Sequence, residues 1–171
     1  MGEPDEIELR VRADIERHGW HVVIVPPDAD SPGWAHSIGL FERYAHPELL
    51  VFGSEPQQLV SLVNALGARV RAGRRFAAGE DAGDVLDALP FAFRPVAPRW
   101  TGVFLGNAAW HYRREDFPVL QGFWPDRAGR LPWDTGCAAE AAAEQPLLSH
   151  AELHLALPER LLASLRRDGA L

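Results

Sequence analysis

Two pairs of polar residues lie in otherwise apolar stretches and carry side chains that could do chemistry. His36 and Ser37 lie in a run of apolar and small residues, where a polar pair needs hydrogen-bond partners or a ligand. His46 and Glu48 are two residues apart, so a strand would place both on one face, where they could share a proton or a metal ion. The alternatives are structural: a buried histidine that only makes hydrogen bonds, and a turn at Pro47 before a strand that begins with Glu48.

A pair of carboxylates follows later in the chain, at Asp126 and Asp134, beside Trp124 and Trp133. A carboxyl group beside an indole can have a raised pKa, and two such groups can serve as acid and base, as in glycosidases. The alternative is that Asp126 opens a turn and accepts hydrogen bonds from the backbone. The complete set of candidates is His46, Glu48, Asp126 and Asp134 as catalytic residues and Trp34, His36, Ser37, Gln121, Trp124 and Trp133 as ligand-binding residues, with no metal ligand assigned.

Composition limits the classes of protein to which this chain can belong. With 171 residues, 47% of them hydrophobic, it can bury its own core, which predicts a single domain over residues 1–171. One cysteine cannot form an internal disulfide, and no apolar segment approaches the length of a membrane span, so we expect a cytoplasmic protein without membrane contact. The net charge of −7 disfavours binding to nucleic acid. All 17 basic residues are arginine, which excludes chemistry that needs a lysine.

Hydrophobic periodicity predicts the elements that would position the candidates. We expect helices near residues 4–18, 55–73, 138–144 and 158–167, and strands at 20–25, 34–40, 48–53, 91–96 and 117–124. Turn residues at 125–130 predict a hairpin in which residues 131–134 return beside the last strand. Pro95 suggests that the strand at 91–96 lies at an edge of the sheet. The secondary structure within 77–114 is otherwise undetermined. This order of elements predicts an α+β fold, with a mostly antiparallel or split-barrel-like sheet and flanking amphipathic helices.

Several short motifs follow one another along the chain: His18-Gly19-Trp20, Ile38-Gly39-Leu40, His46-Pro47-Glu48-Leu49, Asn64, Gln121 to Asp126, Gly129 to Asp134, and Gln145-Pro146. Their order and spacing resemble the bacterial family called domain of unknown function 4262. The resemblance covers residues 15–148 and leaves 149–171 as an accessory helical tail. It implies a cytoplasmic bacterial α+β domain and no particular activity. The family usually has Tyr-Thr before Ile-Gly-Leu, where this chain has His36-Ser37.

Together these residues predict a domain that binds a small molecule in a pocket built from His, Asp, Glu and Trp side chains, and they leave acid–base catalysis open. The first alternative is a non-enzymatic interaction module of the regulatory or immunity type, with an acidic surface and exposed tryptophans. The second is a flavin-binding split-barrel protein, because the order of strands is similar in pattern to such barrels. Those barrels are usually dimers, so a homodimer is open as well. The sequence does not identify a cofactor.

Overall fold

The computed structural model describes residues 5–171 of the chain. Five strands form one sheet: β1 (His21–Val25), β2 (Gly33–Ile38), β3 (Glu48–Gly53), β4 (Ala92–Pro95) and β5 (Val119–Phe123). The α-helices are α1 (Glu6–His18), α2 (Leu40–Tyr44), α3 (Pro56–Arg71), α4 (Thr101–Phe104), α5 (Gly106–Tyr112), α6 (Ala139–Ala143), α7 (Leu153–Ala156) and α8 (Glu159–Arg167). The first helix was expected to begin near residue 4, and residues 1–4 lie outside the described part of the chain.

The strand order in the sheet is β1-β2-β3-β5-β4. β3 and β5 run parallel, and the three other pairings are antiparallel. This arrangement confirms the predicted α+β fold with a mostly antiparallel sheet. The sheet is open and does not close into a barrel, so the architecture that suggested a flavin is not the one observed. β4 is an edge strand, as its proline indicated.

Each face of the sheet is covered by its own apolar cluster. On one face, Val63 and Leu66 of α3 pack with Leu49, Val51 and Leu120 of the strands. The opposite face packs against the segment from 98 to 117 and against the C-terminal helices. Its cluster includes Leu50, Phe52, Trp100, Phe104, Phe117, Leu157, Leu161 and Leu165. The tail after residue 149 therefore supplies buried apolar side chains to this second cluster.

Local sequence explains both ends of α1 and the start of α3, the two longest helices. The side chain of Asp5 accepts a hydrogen bond from the Glu8 N–H at 2.7 Å and so caps α1, which ends at Gly19 in the left-handed conformation. In α3, Pro56 occupies the first turn, where a missing N–H costs nothing. Gly67 of α3 faces Trp20, and a Cβ atom there would lie 2.6 Å from the indole ring, so the helix can approach only with glycine at this position.

The predicted hairpin after β5 does not form. Residues 131–134 make a turn instead of a strand, closed by a hydrogen bond from the Asp134 N–H to the Leu131 carbonyl at 2.9 Å. The predicted strand at 91–96 forms as β4, and the rest of the undetermined segment contains a 3-10 turn at Pro98–Trp100, α4 and α5. Within residues 5–171, no helix has both the length and the apolar character needed to cross a membrane.

Candidate functional site

The carboxylate of Glu48 lies at the centre of a buried hydrogen-bond cluster. Its Oε1 accepts from the backbone N–H groups of Gly39 and Phe41 at 2.9 and 3.0 Å, and also from the Tyr112 hydroxyl. Its Oε2 accepts from the Ser37 hydroxyl. Because the two N–H groups belong to the first turn of α2, Glu48 caps that helix from a neighbouring strand. The cluster joins β2, α2, β3 and α5.

Burial sets the protonation behaviour of this cluster. Glu48 is fully buried, which raises the pKa of its carboxyl group, while the hydrogen bonds from Ser37 and Tyr112 oppose that rise. Burial and the nearby Glu48 carboxylate raise the pKa of Tyr112, so the phenol keeps its proton and serves as a donor. The arrangement satisfies the buried carboxylate from both oxygens.

Both candidate histidines are buried and face the backbone. His46 donates from Nδ1 to the Pro47 carbonyl at 2.7 Å, and its Nε2 accepts from the Phe76 N–H at 3.1 Å, so both ring nitrogens are occupied. His36 donates from Nδ1 to the Ser37 carbonyl at 3.1 Å. Burial lowers the pKa of His46 and lowers that of His36 to about 4. At neutral pH both imidazoles are therefore uncharged.

Asp126 holds together the loop that follows β5. Its Oδ1 accepts from the N–H groups of Ala128 and Arg130, and its Oδ2 accepts from the Ala138 N–H, each at 2.9 Å. The donors at Arg130 and Ala138 contribute most to holding the pKa of Asp126 below its ordinary value. The side chain therefore makes the turn contacts that its position in the sequence allowed.

The second aspartate and its neighbouring tryptophan lie on the surface of the same loop. Asp134 accepts from the Leu131 N–H at 2.8 Å. Trp133 is partly exposed, packs edge to face on Phe123 with ring centroids 5.0 Å apart, and carries the Arg94 guanidinium 4.4 Å from its own centroid. Such a stacked cation stabilises an exposed indole.

Two further candidates contact the backbone of neighbouring segments. Buried Gln121 donates from Nε2 to the Pro146 carbonyl at 2.6 Å and accepts from the Leu148 N–H at 3.3 Å. Trp34 donates its indole N–H to the Phe104 carbonyl at 2.9 Å. These contacts hold the C-terminal segment and α4 against the sheet.

A cleft of about 360 Å³ lies where β3 and β5 end. Because the two strands are parallel, their carboxyl ends lie side by side at one end of the sheet. We call this the Trp124 cleft; it is lined by Gly53, Ser54, Glu55, Gln58, Leu59, Leu62, Leu86, Leu89, Trp124, Pro125 and Glu144.

Trp124 is a fixed wall of this cleft. Its indole N–H donates to the Phe52 carbonyl at 2.7 Å. The Gln145 amide clamps its backbone, since Oε1 accepts from the Trp124 N–H and Nε2 donates to the Trp124 carbonyl, each at 3.0 Å. Gln145 is itself buried. The indole is therefore held in place before any ligand arrives, which lowers the entropic cost of binding.

The residues that line the cleft are mainly apolar, and the charged ones among them are acidic. Four leucines and Trp124 supply the apolar surface, and Glu55 and Glu144 supply two carboxylates, while no basic residue lines it. Trp124 and Glu144 also line an adjoining cleft of about 550 Å³ that includes Asp126 and Arg130. A ligand in the Trp124 cleft would contact an indole ring and two carboxylates.

The structure thus brings only some of the sequence candidates together. Ser37 and Glu48 share the buried cluster, and Trp124 and Asp126 line one cleft. His46 makes its hydrogen bonds elsewhere, with Pro47 and Phe76. Residues 5–171 contain no group of three or more His, Cys, Asp or Glu side chains placed to hold a metal ion.

Comparison with known proteins places these features in a family. The family model described as Domain of unknown function (DUF4262) matches residues 14–138. The chain belongs to this family. No curated protein and no solved structure matches the chain. The DUF4262 match includes the Glu48 cluster and most of the Trp124 cleft, whereas Glu144 and Gln145 lie beyond its end.

Several residues of the Glu48 cluster and the Trp124 cleft in this DUF4262 chain were not among the candidates predicted from the sequence. Tyr112 lies in the segment whose secondary structure was undetermined, so nothing in its spacing connected it to Glu48. Leu86 and Leu89 reach the cleft from an irregular segment without periodicity. The one available signal was Gln145, a polar residue beside a proline in the family-like motifs, which clamps Trp124.

Proposed function

We propose that the protein binds a small organic molecule with an apolar body and an amine group in the Trp124 cleft. The observation that carries the proposal is the composition of the cleft: a fixed indole and four leucines beside two carboxylates, with no basic residue. Its volume of about 360 Å³ falls in the range of small-molecule sites.

Each part of the lining has a role in the proposed recognition. The leucines remove the apolar body of the ligand from water. The face of Trp124 attracts a cation, and Glu55 or Glu144 accepts hydrogen bonds from the ammonium group. An anionic ligand of the same shape would meet the same carboxylates unfavourably.

Isothermal titration calorimetry with three probes of one shape tests this proposal. We expect 2-phenylethylamine to bind more tightly than 2-phenylethanol, and phenylacetate to bind most weakly. Leu89→Ser removes apolar lining and should weaken amine binding about fivefold, because a half-buried leucine contributes about 1 kcal/mol. Leu155→Ser is the matched control, since Leu89 and Leu155 are both 47% exposed and Leu155 lies outside the cleft.

Two outcomes would overturn the proposal. One is that none of the three probes binds saturably. The other is that Leu155→Ser weakens amine binding as much as Leu89→Ser, which would mean that binding does not occur in the cleft.

The other hypotheses drawn from the sequence stay predictions. They are acid–base catalysis by the candidate carboxylates and histidines, the interaction module, a cytoplasmic location, a homodimer, and no contact with nucleic acid. The buried cluster around Glu48 and the turn around Asp126 support structural roles, because the oxygens of both carboxylates accept hydrogen bonds from the protein itself.

A further inference from the structure

A second, polar pocket of about 490 Å³ lies between α1, α3 and the start of β1. It is separate from the Trp124 cleft and shares no lining residue with it. Along α1, Arg10, Asp14 and His18 are spaced four residues apart and so lie on one face of the helix. Asn64, Ala68 and Arg71 of α3 face them, and Trp20, His21 and Val22 complete the lining.

Trp20 forms the apolar side of this pocket and is held in place. Its indole N–H donates to the Asn64 side-chain oxygen at 2.9 Å, and its ring packs on Gly67. The Arg71 guanidinium lies 5.3 Å from the centroid of the Trp20 ring and donates to the His18 carbonyl at 3.3 Å. One positive charge of the pocket is therefore positioned by stacking and by a hydrogen bond.

His21 and Asp14 form a directed pair in the same pocket. The Nδ1 of His21 lies 2.6 Å from the Asp14 Oδ2, and since a carboxylate can only accept, Nδ1 carries the proton. Within residues 5–171 no hydrogen bond reaches the Nε2 of His21. With the proton on Nδ1, the Nε2 atom can accept a hydrogen bond from a ligand.

The charge of the lining favours an anion. The lining carries two guanidinium groups, Arg10 and Arg71, and only one carboxylate, Asp14. That carboxylate is already hydrogen-bonded to His21. This pocket is therefore net positive in a chain whose net charge is −7. Hydrogen-bonding groups on α1, on α3 and on β1 would approach a ligand from several sides, which suits a tetrahedral phosphate that still carries a hydroxyl better than a planar carboxylate, which can only accept.

We propose that this pocket binds the phosphate group of a small phosphorylated molecule. Arg10 and Arg71 hold the phosphate oxygens, and His21, oriented by Asp14, accepts a hydrogen bond at Nε2 from the hydroxyl of a singly ionised phosphate. The His18-Gly19-Trp20 motif and Asn64 then have a common purpose: they shape and brace the pocket from the end of α1 and the middle of α3.

Titration of the full chain with inorganic phosphate, with glycerol 2-phosphate and with acetate tests this site by calorimetry. We expect both phosphates to bind saturably and acetate to bind at least tenfold more weakly. Arg10→Gln and His21→Gln should each weaken phosphate binding about tenfold or more, because each removes a hydrogen bond to a charged group.

Arg17→Gln is the matched control, because Arg17 is also an exposed arginine of α1 but does not line the pocket. It changes the net charge as Arg10→Gln does, and phosphate should bind to it as to the unmodified chain. Equal weakening by Arg10→Gln and Arg17→Gln would show non-specific attraction and overturn the proposal. Absence of saturable phosphate binding would overturn it too, and so would acetate binding as tight as phosphate binding. Circular dichroism of each variant confirms that the comparison is made between folded proteins.

Discussion

Replacing Glu48 with alanine removes the acceptor at the centre of the buried cluster. Four donors point at this carboxylate: the hydroxyls of Ser37 and Tyr112 and the N–H groups of Gly39 and Phe41. After the change, the Gly39 N–H keeps the Tyr112 oxygen as an acceptor at 2.9 Å. The other three donors lose their partner, and these are the buried Ser37 hydroxyl and the partly buried Phe41 N–H and Tyr112 hydroxyl.

The expected loss of stability follows from the number of donors left without an acceptor. A buried polar group without a partner costs about 1–3 kcal/mol, and the two hydroxyls can turn toward other acceptors, so we expect Glu48→Ala to destabilise the protein by about 3–5 kcal/mol. For a chain of this size that loss lowers the melting temperature by about 6–20 °C. A protein with ordinary stability would lose a large part of it.

Glu48→Gln separates loss of the acceptor from loss of the charge. Its side-chain carbonyl can still accept from Gly39, Phe41 and Tyr112, and its amide can donate to the Ser37 hydroxyl oxygen. Because burial raises the pKa of Glu48, the charged form is disfavoured by folding, and the neutral isostere should lose about 1 kcal/mol or less at pH 7.

Urea unfolding, followed by tryptophan fluorescence and by far-ultraviolet circular dichroism, measures these free energies. Glu16→Ala, an exposed change on α1, is the control and should lie within about 0.5 kcal/mol of the unmodified chain. The structural role of Glu48 is refuted if Glu48→Ala is no more destabilising than Glu16→Ala.

Two further predictions concern packing and pH. Gly67→Ala should destabilise by about 1–3 kcal/mol in the same urea assay, because its Cβ would lie 2.6 Å from the Trp20 ring, whereas Gly106→Ala has open space around its Cβ and should be neutral or stabilising; equal effects would contradict the close contact. Burial lowers the pKa of His36 from 6.5 to about 4. Between these two pH values, the unfolded chain therefore binds a proton more readily than the folded chain. Stability should therefore fall as the pH drops, by about 2 kcal/mol between pH 7 and pH 5 for this residue, and His36→Gln should remove that part of the pH dependence in urea titrations at both pH values; an unchanged slope would show that His36 does not titrate in this way.

The sequence predicted the five strands and four of the eight α-helices described in residues 5–171, for physical reasons. The spacing of Leu59, Val63 and Leu66 marked one face of α3, and the apolar runs marked β3 and β5. The proline in β4 indicated an edge strand, and β4 lies at the edge. Each of these signals is local, so it can be read before the chain is folded.

The sequence did not show that the hairpin after β5 is absent, nor which residues contact each other across the fold. Asp126 and Asp134 bind backbone N–H groups and close turns, which left residues 131–134 without a strand to pair. The partnership of Glu48 with Tyr112 spans 64 residues and depends on where α5 packs. No periodicity encodes such a contact.

Of the ten candidate residues named from the sequence, only Trp124 lines the Trp124 cleft. Trp124 and Asp126 together line the adjoining cleft, whereas Leu86 and Leu89 of the Trp124 cleft come from an irregular segment without periodicity. The carboxyl ends of β3 and β5 lie together beside the cleft because the two strands pair in parallel. That pairing is a property of the whole sheet. Residue types alone could not reveal it.

The most direct test of the proposed function is a nuclear magnetic resonance titration of the indole N–H signals with 2-phenylethylamine. The Trp124 signal is assigned by its loss in Trp124→Phe, and Trp110, which is 49% exposed and lies outside the cleft, is the internal control. The proposal predicts a saturable shift of the Trp124 signal while the Trp110 signal stays in place. A Trp124 signal that does not move at saturating amine, or equal shifts of both signals, would contradict it.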